Sequence, residues 1–179
     1  MSYGKLTVVT GCMFAGKSST MLIEAEKIGA VIFKPAFDTR YSATDVVTHD
    51  GECVPANVFS SFRDIALVGE IDRPYCFDEV QFLDGDRYDG DFVADVRTLL
   101  SHGIDVLVAG LDMDWKGEPF PITSKLSGMA DEVIKLGSTC VQCGSFATKT
   151  AKKTGGVSVE LGNDNIYEPR CNHHWKCIE

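Results

Sequence analysis

Apolar residues in this chain of 179 residues occur in short blocks, separated by segments in which apolar positions repeat with helical spacing. Short apolar blocks predict buried strands at Lys5–Thr10, Ala30–Phe33, Arg73–Asp78, Ile104–Ala109 and Asp131–Leu136. Gly110 is predicted to end the strand that begins at Ile104. Helical spacing predicts helices over Ser18–Ile28 and Phe92–His102, each followed by a glycine that can end it. Buried strands alternating with helices predict an α/β fold, with a parallel sheet covered by helices on both faces.

Two segments depart from this pattern. Pro35–Asp50 is polar and irregular, which predicts a loop near a ligand. After Ser138 the periodicity disappears, glycine becomes frequent, and the segment has too few apolar residues to build a core of its own. We therefore expect two domains: 1–137, which contains the sheet, and 138–179, which needs a staple.

Composition excludes several classes of protein. A net charge of −9, with no dense group of basic residues, argues against a general nucleic-acid binder. No apolar run approaches the roughly 20 residues that cross a bilayer, and the first five residues resemble no signal peptide. A C-x-x-C pair among an odd number of cysteines favours metal binding in a reducing compartment. We expect a soluble, cytoplasmic protein with neither nucleic acid nor membrane as a partner.

The stretch "GCMFAGKS", from Gly11 to Ser18, has the spacing of a phosphate-binding loop. Because it follows a predicted strand and opens a predicted helix, backbone N–H groups and the helix N-terminus can face phosphate oxygens. Lys17 would reach the β- and γ-phosphates of ATP, and Ser18 would bind Mg²⁺. The alternative is a glycine turn with a chance lysine, which the flanking elements disfavour.

Two adjacent carboxylates, Asp78 and Glu79, follow the predicted apolar strand that begins at Arg73. A phosphate-binding loop needs a second acid for Mg²⁺ at the end of a neighbouring strand, and Asp78 fits this requirement. Glu79 is then available for proton transfer. The alternative is a solvated acidic turn.

Two ligand pairs with the same spacing lie in the C-terminal segment: Cys140 with Cys143, and Cys171 with His174. Four nitrogen and sulfur ligands are typical of a structural zinc site, which would close the intervening glycine-rich segment. His173 and Cys177 are alternative ligands. A redox pair and four unrelated thiol or imidazole groups are the alternatives to a metal site.

Five blocks in this order resemble the zinc-bearing thymidine kinases of cytosol, bacteria and large DNA viruses. They are "GCMFAGKS", "FDTRYS" (Phe37–Ser42), "DEVQF" (Asp78–Phe82), "GLDMDWKGEPF" (Gly110–Phe120) and "YEPRCNHH" (Tyr167–His174). The chain departs from the usual family pattern in three places: Cys12 replaces proline, Trp115 replaces phenylalanine, and Ala151-Lys152 replaces Gln-Arg. The last difference concerns the lining near Thr150.

The resemblance implies a P-loop, RecA-like α/β fold with a small zinc-stapled domain, which carries a lasso loop over the nucleoside. It implies an ATP:thymidine 5′-phosphotransferase that makes dTMP in nucleotide salvage for DNA synthesis and accepts deoxyuridine less well. It also implies a homotetramer, feedback inhibition by dTTP, Mg²⁺ with ATP, and structural Zn²⁺.

The resemblance also implies residue roles, with Glu79 as the general base. ATP and Mg²⁺ are assigned to Gly11, Gly16, Lys17, Ser18, Ser19, Asp38, Arg40 and Asp78. The nucleoside is assigned to Met13, Phe82, Leu111, Trp115, Phe120, Thr150, Glu160, Gly162 and Tyr167, with the backbone of Ser158–Asn163 alongside the base. Zinc is assigned to Cys140, Cys143, Cys171 and His174.

Three other functions remain open on the residues alone. A nucleoside-monophosphate kinase would need more arginines for its acceptor phosphate. A nucleotide-hydrolysing switch would have no need of a zinc-held lid. A zinc-ribbon module for nucleic acid conflicts with the acidic charge.

Overall fold

The computed structural model describes residues 2–39, 42–48, 51, 53–153 and 165–175. In chain order its elements are β1 (Leu6–Gly11), α1 (Lys17–Ile28), β2 (Val31–Pro35), β3 (Asp45–Val47), β4 (Cys53–Pro55), β5 (Asn57–Phe59), α2 (Phe62–Val68), β6 (Tyr75–Phe77), α3 (Phe92–Ser101), β7 (Val106–Leu111), α4 (Pro121–Met129), β8 (Glu132–Leu136), β9 (Ser138–Thr139), β10 (Phe146–Ala147), β11 (Lys149–Lys152) and β12 (Tyr167–Arg170), with 3₁₀ turns at Val80–Phe82 and Gly85–Arg87. Among these residues, six strands form one parallel sheet in the order β5-β2-β6-β7-β1-β8.

The central strands of this sheet are buried on both faces. Val8 of β1 and Val108 of β7 belong to a core cluster that also contains side chains of α3 and α4. Val9 and Leu107, their neighbours along the strands, belong to a second cluster with side chains of α1. Alternate strand residues point to opposite faces, so both faces need an apolar cover. The predicted α/β sheet with helices on both faces is confirmed.

The predicted strands and helices are all present, with ends shifted by up to two residues. One predicted loop is wrong in part, because Pro35–Asp50 contains β3, which pairs antiparallel with β4. Gly110 does not end its strand but lies inside β7. Helices α2 and α4 and strands β4, β5 and β9–β12 were not predicted. Helix α2 has only seven residues, so the apolar spacing of Phe62, Ile65 and Val68 extends over less than two turns. Its start is marked by Ser61, whose side chain accepts from the Asp64 N–H.

The segment after β8 forms two small antiparallel pairs, β9 with β10 and β11 with β12. Its buried apolar cluster consists of Cys140, Ala147 and Cys171. Such a cluster is too small to hold the segment by apolar burial alone, as the composition predicted. Within the described ranges, every helix is too short or too polar to cross a membrane.

Parallel strands bring their carboxyl ends to one edge of the sheet, which is where α/β proteins bind their ligands. The loops that leave β1, β2, β6 and β7 therefore meet there. These loops contain four of the five sequence blocks described above.

Candidate functional site

The loop after β1 has the backbone shape of an anion-binding turn. Gly11 has a φ of 143°, and a side chain at this position would overlap the carbonyl group of Leu136 on neighbouring β8. Gly16 has a φ of 75°, a left-handed conformation that glycine adopts without strain, and α1 begins at the next residue. The loop thus ends at a helix N-terminus, whose free N–H groups and dipole favour a bound anion.

Lys17 crosses the mouth of this loop. Its Nζ donates to the carbonyl oxygen of Cys12 at 2.8 Å. Close packing around the ammonium group lowers the pKa of Lys17, although part of the side chain reaches the surface, and the negative charge of Glu79 opposes this effect. The ammonium group of Lys17 is therefore tightly packed and lies near a carboxylate. A bound phosphate would neutralise its positive charge.

Asp78 and Ser18 join the loop after β6 to the start of α1. The Ser18 hydroxyl donates to Asp78 Oδ2 at 3.1 Å, and the Glu79 N–H donates to Asp78 Oδ1 at 2.9 Å. Burial raises the pKa of the Asp78 carboxyl to about 7, and the neighbouring Glu79 charge acts in the same direction. A divalent cation beside Ser18 and Asp78 would favour the ionised carboxylate again, because an opposite charge stabilises it.

Glu79 turns the chain sharply at the end of β6. Its φ of 53° and ψ of 35° are left-handed, a conformation that costs a residue with a side chain about 1–3 kcal/mol and is concentrated at functional sites. Gln81 Nε2 donates to Glu79 Oε2 at 2.6 Å, while Glu79 itself stays partly exposed. A carboxylate that is held yet accessible can accept a proton from a bound hydroxyl group.

Aromatic rings form an apolar wall beside these carboxylates. The rings of Phe82 and Phe120 meet edge to face, with centroids 5.6 Å apart. Trp115, although flanked by polar residues in the sequence, is only 5% exposed, and its indole N–H finds no hydrogen-bond partner among the described residues. Leu111 and Met13 remain partly exposed, so they can offer apolar surface to a ligand. Flat and flexible apolar side chains suit a planar base.

The C-terminal segment is hydrogen-bonded directly to the phosphate loop. The Met13 N–H donates to the Thr150 hydroxyl oxygen at 3.0 Å, and the indole N–H of Trp175 donates to the Thr150 carbonyl oxygen at 3.0 Å. Tyr167 does not lie in an open loop, since it is 4% exposed on β12 and pairs with Lys152 of β11. Trp175 was missed from the sequence, where its position directly after His174 is its only signal.

The loop after β2 is fastened by a second residue that the sequence did not single out. Lys34 is 4% exposed, and its Nζ donates to the carbonyl oxygens of Ser42 at 2.7 Å and Asp45 at 3.0 Å. Asp38 lies in the loop that these two hydrogen bonds close, and it is 7% exposed. Ser19 lies in the first turn of α1, beside the phosphate loop. The predicted site residues Arg40, Glu160 and Gly162, and the stretch Ser158–Asn163, lie outside the described residues.

Three thiols and one imidazole converge near β9 and β12. The ligand atoms of Cys140, Cys143, Cys171 and His174 all lie within 4.8 Å of one another. Cys143 Sγ is 3.7 Å from Cys171 Sγ, and Cys171 Sγ is 3.4 Å from His174 Nδ1. This set could hold a metal ion, and its composition fits the four-coordinate sites that zinc prefers. His173 is not part of it, and the alternative ligand Cys177 lies outside the described residues.

The parallel sheet, the glycine loop and the acids after β6 define a P-loop nucleotide-binding protein. The family model described as "Thymidine kinase" matches residues 4–175. A protein of Coprothermobacter proteolyticus named thymidine kinase is 36% identical over 190 residues, a match that covers 96% of this chain and 90% of that protein. The chain belongs to the thymidine kinase family, so the resemblance inferred from five sequence blocks and the expectation of a kinase are confirmed.

Proposed function

We propose that this chain transfers the γ-phosphate of ATP to the 5′-hydroxyl of thymidine and yields dTMP and ADP. The observation that carries the proposal is the hydrogen-bonded cluster of Ser18, Asp78 and Glu79 at the carboxyl edge of the sheet, with the Lys17 ammonium group close enough to feel the charges of both acids. It combines a cation for phosphate, two oxygen ligands for Mg²⁺ and a proton acceptor, which are the parts that phosphoryl transfer requires.

In the proposed reaction each part has one role. Ser18 and Asp78 would hold Mg²⁺, which supplies charge neutralisation on the phosphates. Glu79 accepts the proton of the 5′-hydroxyl while the hydroxyl oxygen forms a bond to the γ-phosphorus. The bond between that phosphorus and the bridging oxygen of the β-phosphate breaks and releases ADP. Lys17 stabilises the negative charge on the transferring group. Asp38 and Arg40 remain proposed members of the phosphate and Mg²⁺ network.

The base is proposed to lie between the apolar wall and the segment that contains Tyr167. Phe82, Phe120 and Trp115 supply flat surfaces, and Thr150 lies at the junction of this wall with the phosphate loop. Glu160, Gly162 and the backbone of Ser158–Asn163 complete the proposed pocket as fixed donors and acceptors beside the pyrimidine edge.

Thymidine will be the preferred acceptor, followed by deoxyuridine, with deoxycytidine and deoxyguanosine poor. Each buried polar group left unpaired by a wrong base edge costs about 1–3 kcal/mol, or roughly 5- to 150-fold in kcat/KM. The 5-methyl group adds only about 0.8 kcal/mol of apolar contact, so uracil will be disfavoured about fourfold. The measurement is ADP formation from ATP with each nucleoside in turn, and without any acceptor as the control.

Two outcomes would contradict this proposal. ATP consumption that does not depend on an acceptor would indicate a nucleotide-hydrolysing switch. Efficient phosphorylation of deoxycytidine or deoxyguanosine would reject backbone recognition of the pyrimidine edge.

The Cys140, Cys143, Cys171 and His174 cluster is proposed to bind one structural zinc ion per chain. Cys140→Ser and His174→Ala will lower the zinc content and the melting temperature, since metal binding contributes directly to the folding of small metal-held segments. They will also raise KM for thymidine, because the segment between the two ligand pairs contains the proposed base-binding backbone. His173→Ala is the matched control and will keep its zinc.

The measurement is metal analysis of unchelated protein, together with thermal unfolding. If His174→Ala keeps its full zinc content and His173→Ala loses zinc, the fourth ligand is His173 and not His174. Absence of zinc from the parent protein would reject the metal site.

Finer features are proposed on the family resemblance. They are a homotetramer, feedback inhibition by dTTP, a cytoplasmic location and a division into domains 1–137 and 138–179. The division is supported by the large sheet, all of whose strands precede residue 137, and by the separate small pairs β9–β12. Exposed Ile23 and Ile28 on α1 and Val133 on the edge strand β8 offer apolar surface for contacts between subunits.

A further inference from the structure

We propose that Gln81 is a positioning residue that fixes the carboxylate of Glu79 against strand β7. The inference rests on the proposed role of Glu79 as the proton acceptor. Gln81 is not assigned to contact substrate. It acts through Glu79, and its effect is therefore on turnover, not on the binding of ATP or thymidine.

The Gln81 amide makes two hydrogen bonds in opposite directions. Its Nε2 donates to Glu79 Oε2 at 2.6 Å, and its Oε1 accepts from the backbone N–H of Leu111 at 3.1 Å. An ionised carboxylate only accepts and a backbone N–H only donates, so these partners fit just one orientation of the amide. Gln81 is 2% exposed, so water has little access to its amide group, although the Glu79 carboxylate on the other side of the first bond is partly exposed.

Strand β7 leaves space for this amide at Gly110. A Cβ atom at position 110 would lie 2.8 Å from Gln81 Oε1 and 2.9 Å from Val80 Cγ2, both too close. Gly110 has no positive φ, so its backbone does not require glycine. Glycine inside a strand weakens it and often marks the close approach of another group. Here the group is the Gln81 amide, which accounts for a glycine that the sequence alone suggested was a strand end.

The two bonds connect the proposed base to the proposed nucleoside wall. Glu79 lies on a left-handed turn after β6, and Leu111 lies at the end of β7. A single rigid amide between them sets the distance from the carboxylate to the edge of the nucleoside pocket. Reacting groups must be held closely, and a displacement of about 1 Å can cost about 10²-fold in rate.

Gln81→Met tests this inference, because methionine is similar in length and lacks both hydrogen bonds. We expect kcat to fall about 10- to 100-fold, while KM for ATP and for thymidine stays within about threefold of the parent. The second arm combines Gln81→Met with Glu79→Gln. Since Gln81 acts through Glu79, the double variant will be no slower than Glu79→Gln alone.

Gly110→Ala provides an independent arm that keeps Gln81 itself. The added methyl group will displace the amide and lower kcat by a similar factor, again with little change in KM. Gly128→Ala in α4 is the matched control, because a Cβ there meets nothing within 4 Å. Should Gln81→Met fail to fold, as judged by its melting temperature, the Gly110→Ala and Gly128→Ala pair decides the question.

The outcomes separate the inference from the proposed function. Near-parental kcat in Gln81→Met or in Gly110→Ala, with a slow Glu79→Gln, would overturn the role of Gln81 and leave Glu79 as the base. A purely structural role for Gln81 would be shown by either of two results. The first is a loss of kcat in the double variant that equals the product of the two single losses, and the second is a rise in KM for both ATP and thymidine. Normal turnover of Glu79→Gln would reject the proposed base itself.

Discussion

Lys17→Ala will reduce phosphoryl transfer by at least about 10³-fold while the chain remains folded. The ammonium group donates to the Cys12 carbonyl oxygen at 2.8 Å, and it is the cation proposed to stabilise the transferring phosphate. Removing one preorganised donor to transition-state charge costs about 10²–10³-fold, and removing a full charge costs more. The fold should tolerate the change, because crowding already disfavours the charged form of this side chain.

The measurement is dTMP formation at saturating thymidine, with circular dichroism to verify folding. Lys27→Ala is the matched control on the same helix. Lys27 is exposed and pairs with neighbouring Glu24 at 2.7 Å, so its loss will leave the rate unchanged. Activity of Lys17→Ala within about tenfold of the parent would mean that this loop is not the ATP site.

Glu79→Gln will keep nucleotide binding and lose about 10²–10⁴-fold in kcat, the usual contribution of general-base catalysis. Glutamine preserves the size of the side chain and can still accept the hydrogen bond from Gln81, but it cannot take up a proton. The change also removes a negative charge beside Asp78. Because that charge helps to raise the pKa of Asp78 to about 7, the variant will ionise Asp78 at lower pH.

The measurement pairs kcat with the dissociation constant of ATP in the presence of Mg²⁺. Asp78→Asn is the comparison, and it will weaken nucleotide binding because it removes the proposed metal ligand. A Glu79→Gln variant that binds ATP poorly yet turns over normally would reverse the two roles. Glu79 would then hold the metal, and Asp78 would be the base.

The parts of the fold that could be predicted are those with dense local patterns. β1 and α1 surround a glycine-rich loop whose spacing has one main structural explanation, so sequence and structure agree closely there. α2 and β5 are short, and each buries a single side chain, Ile65 in α2 and Phe59 in β5. The apolar residues Phe62, Ile65 and Val68 do have helical spacing, but over less than two turns the pattern is too short to distinguish from chance.

The candidate site divides in the same way. Residues in contiguous blocks, such as Asp78 and Glu79, were found because their chemistry is visible from their neighbours. Gln81, Lys34 and Trp175 were missed as contributors, because each acts through hydrogen bonds to backbone or side-chain groups that the neighbouring sequence does not reveal. The roles of Arg40, Glu160, Gly162 and the other assigned residues stay predictions.

The path from Met13 through Thr150 to Trp175 has a thermodynamic consequence. Trp175 follows metal-site residue His174, so two hydrogen bonds separate the phosphate loop from the chain at the cysteine and histidine cluster. Any ordering of Thr150 by a metal ion is passed to the loop backbone at Met13, and ordering of the loop is passed back. Such coupling is reciprocal: the factor by which the metal tightens nucleotide binding equals the factor by which nucleotide tightens metal retention. With the proposed zinc ion bound, a chain saturated with nucleotide is therefore expected to lose that ion to a chelator less readily than a nucleotide-free chain.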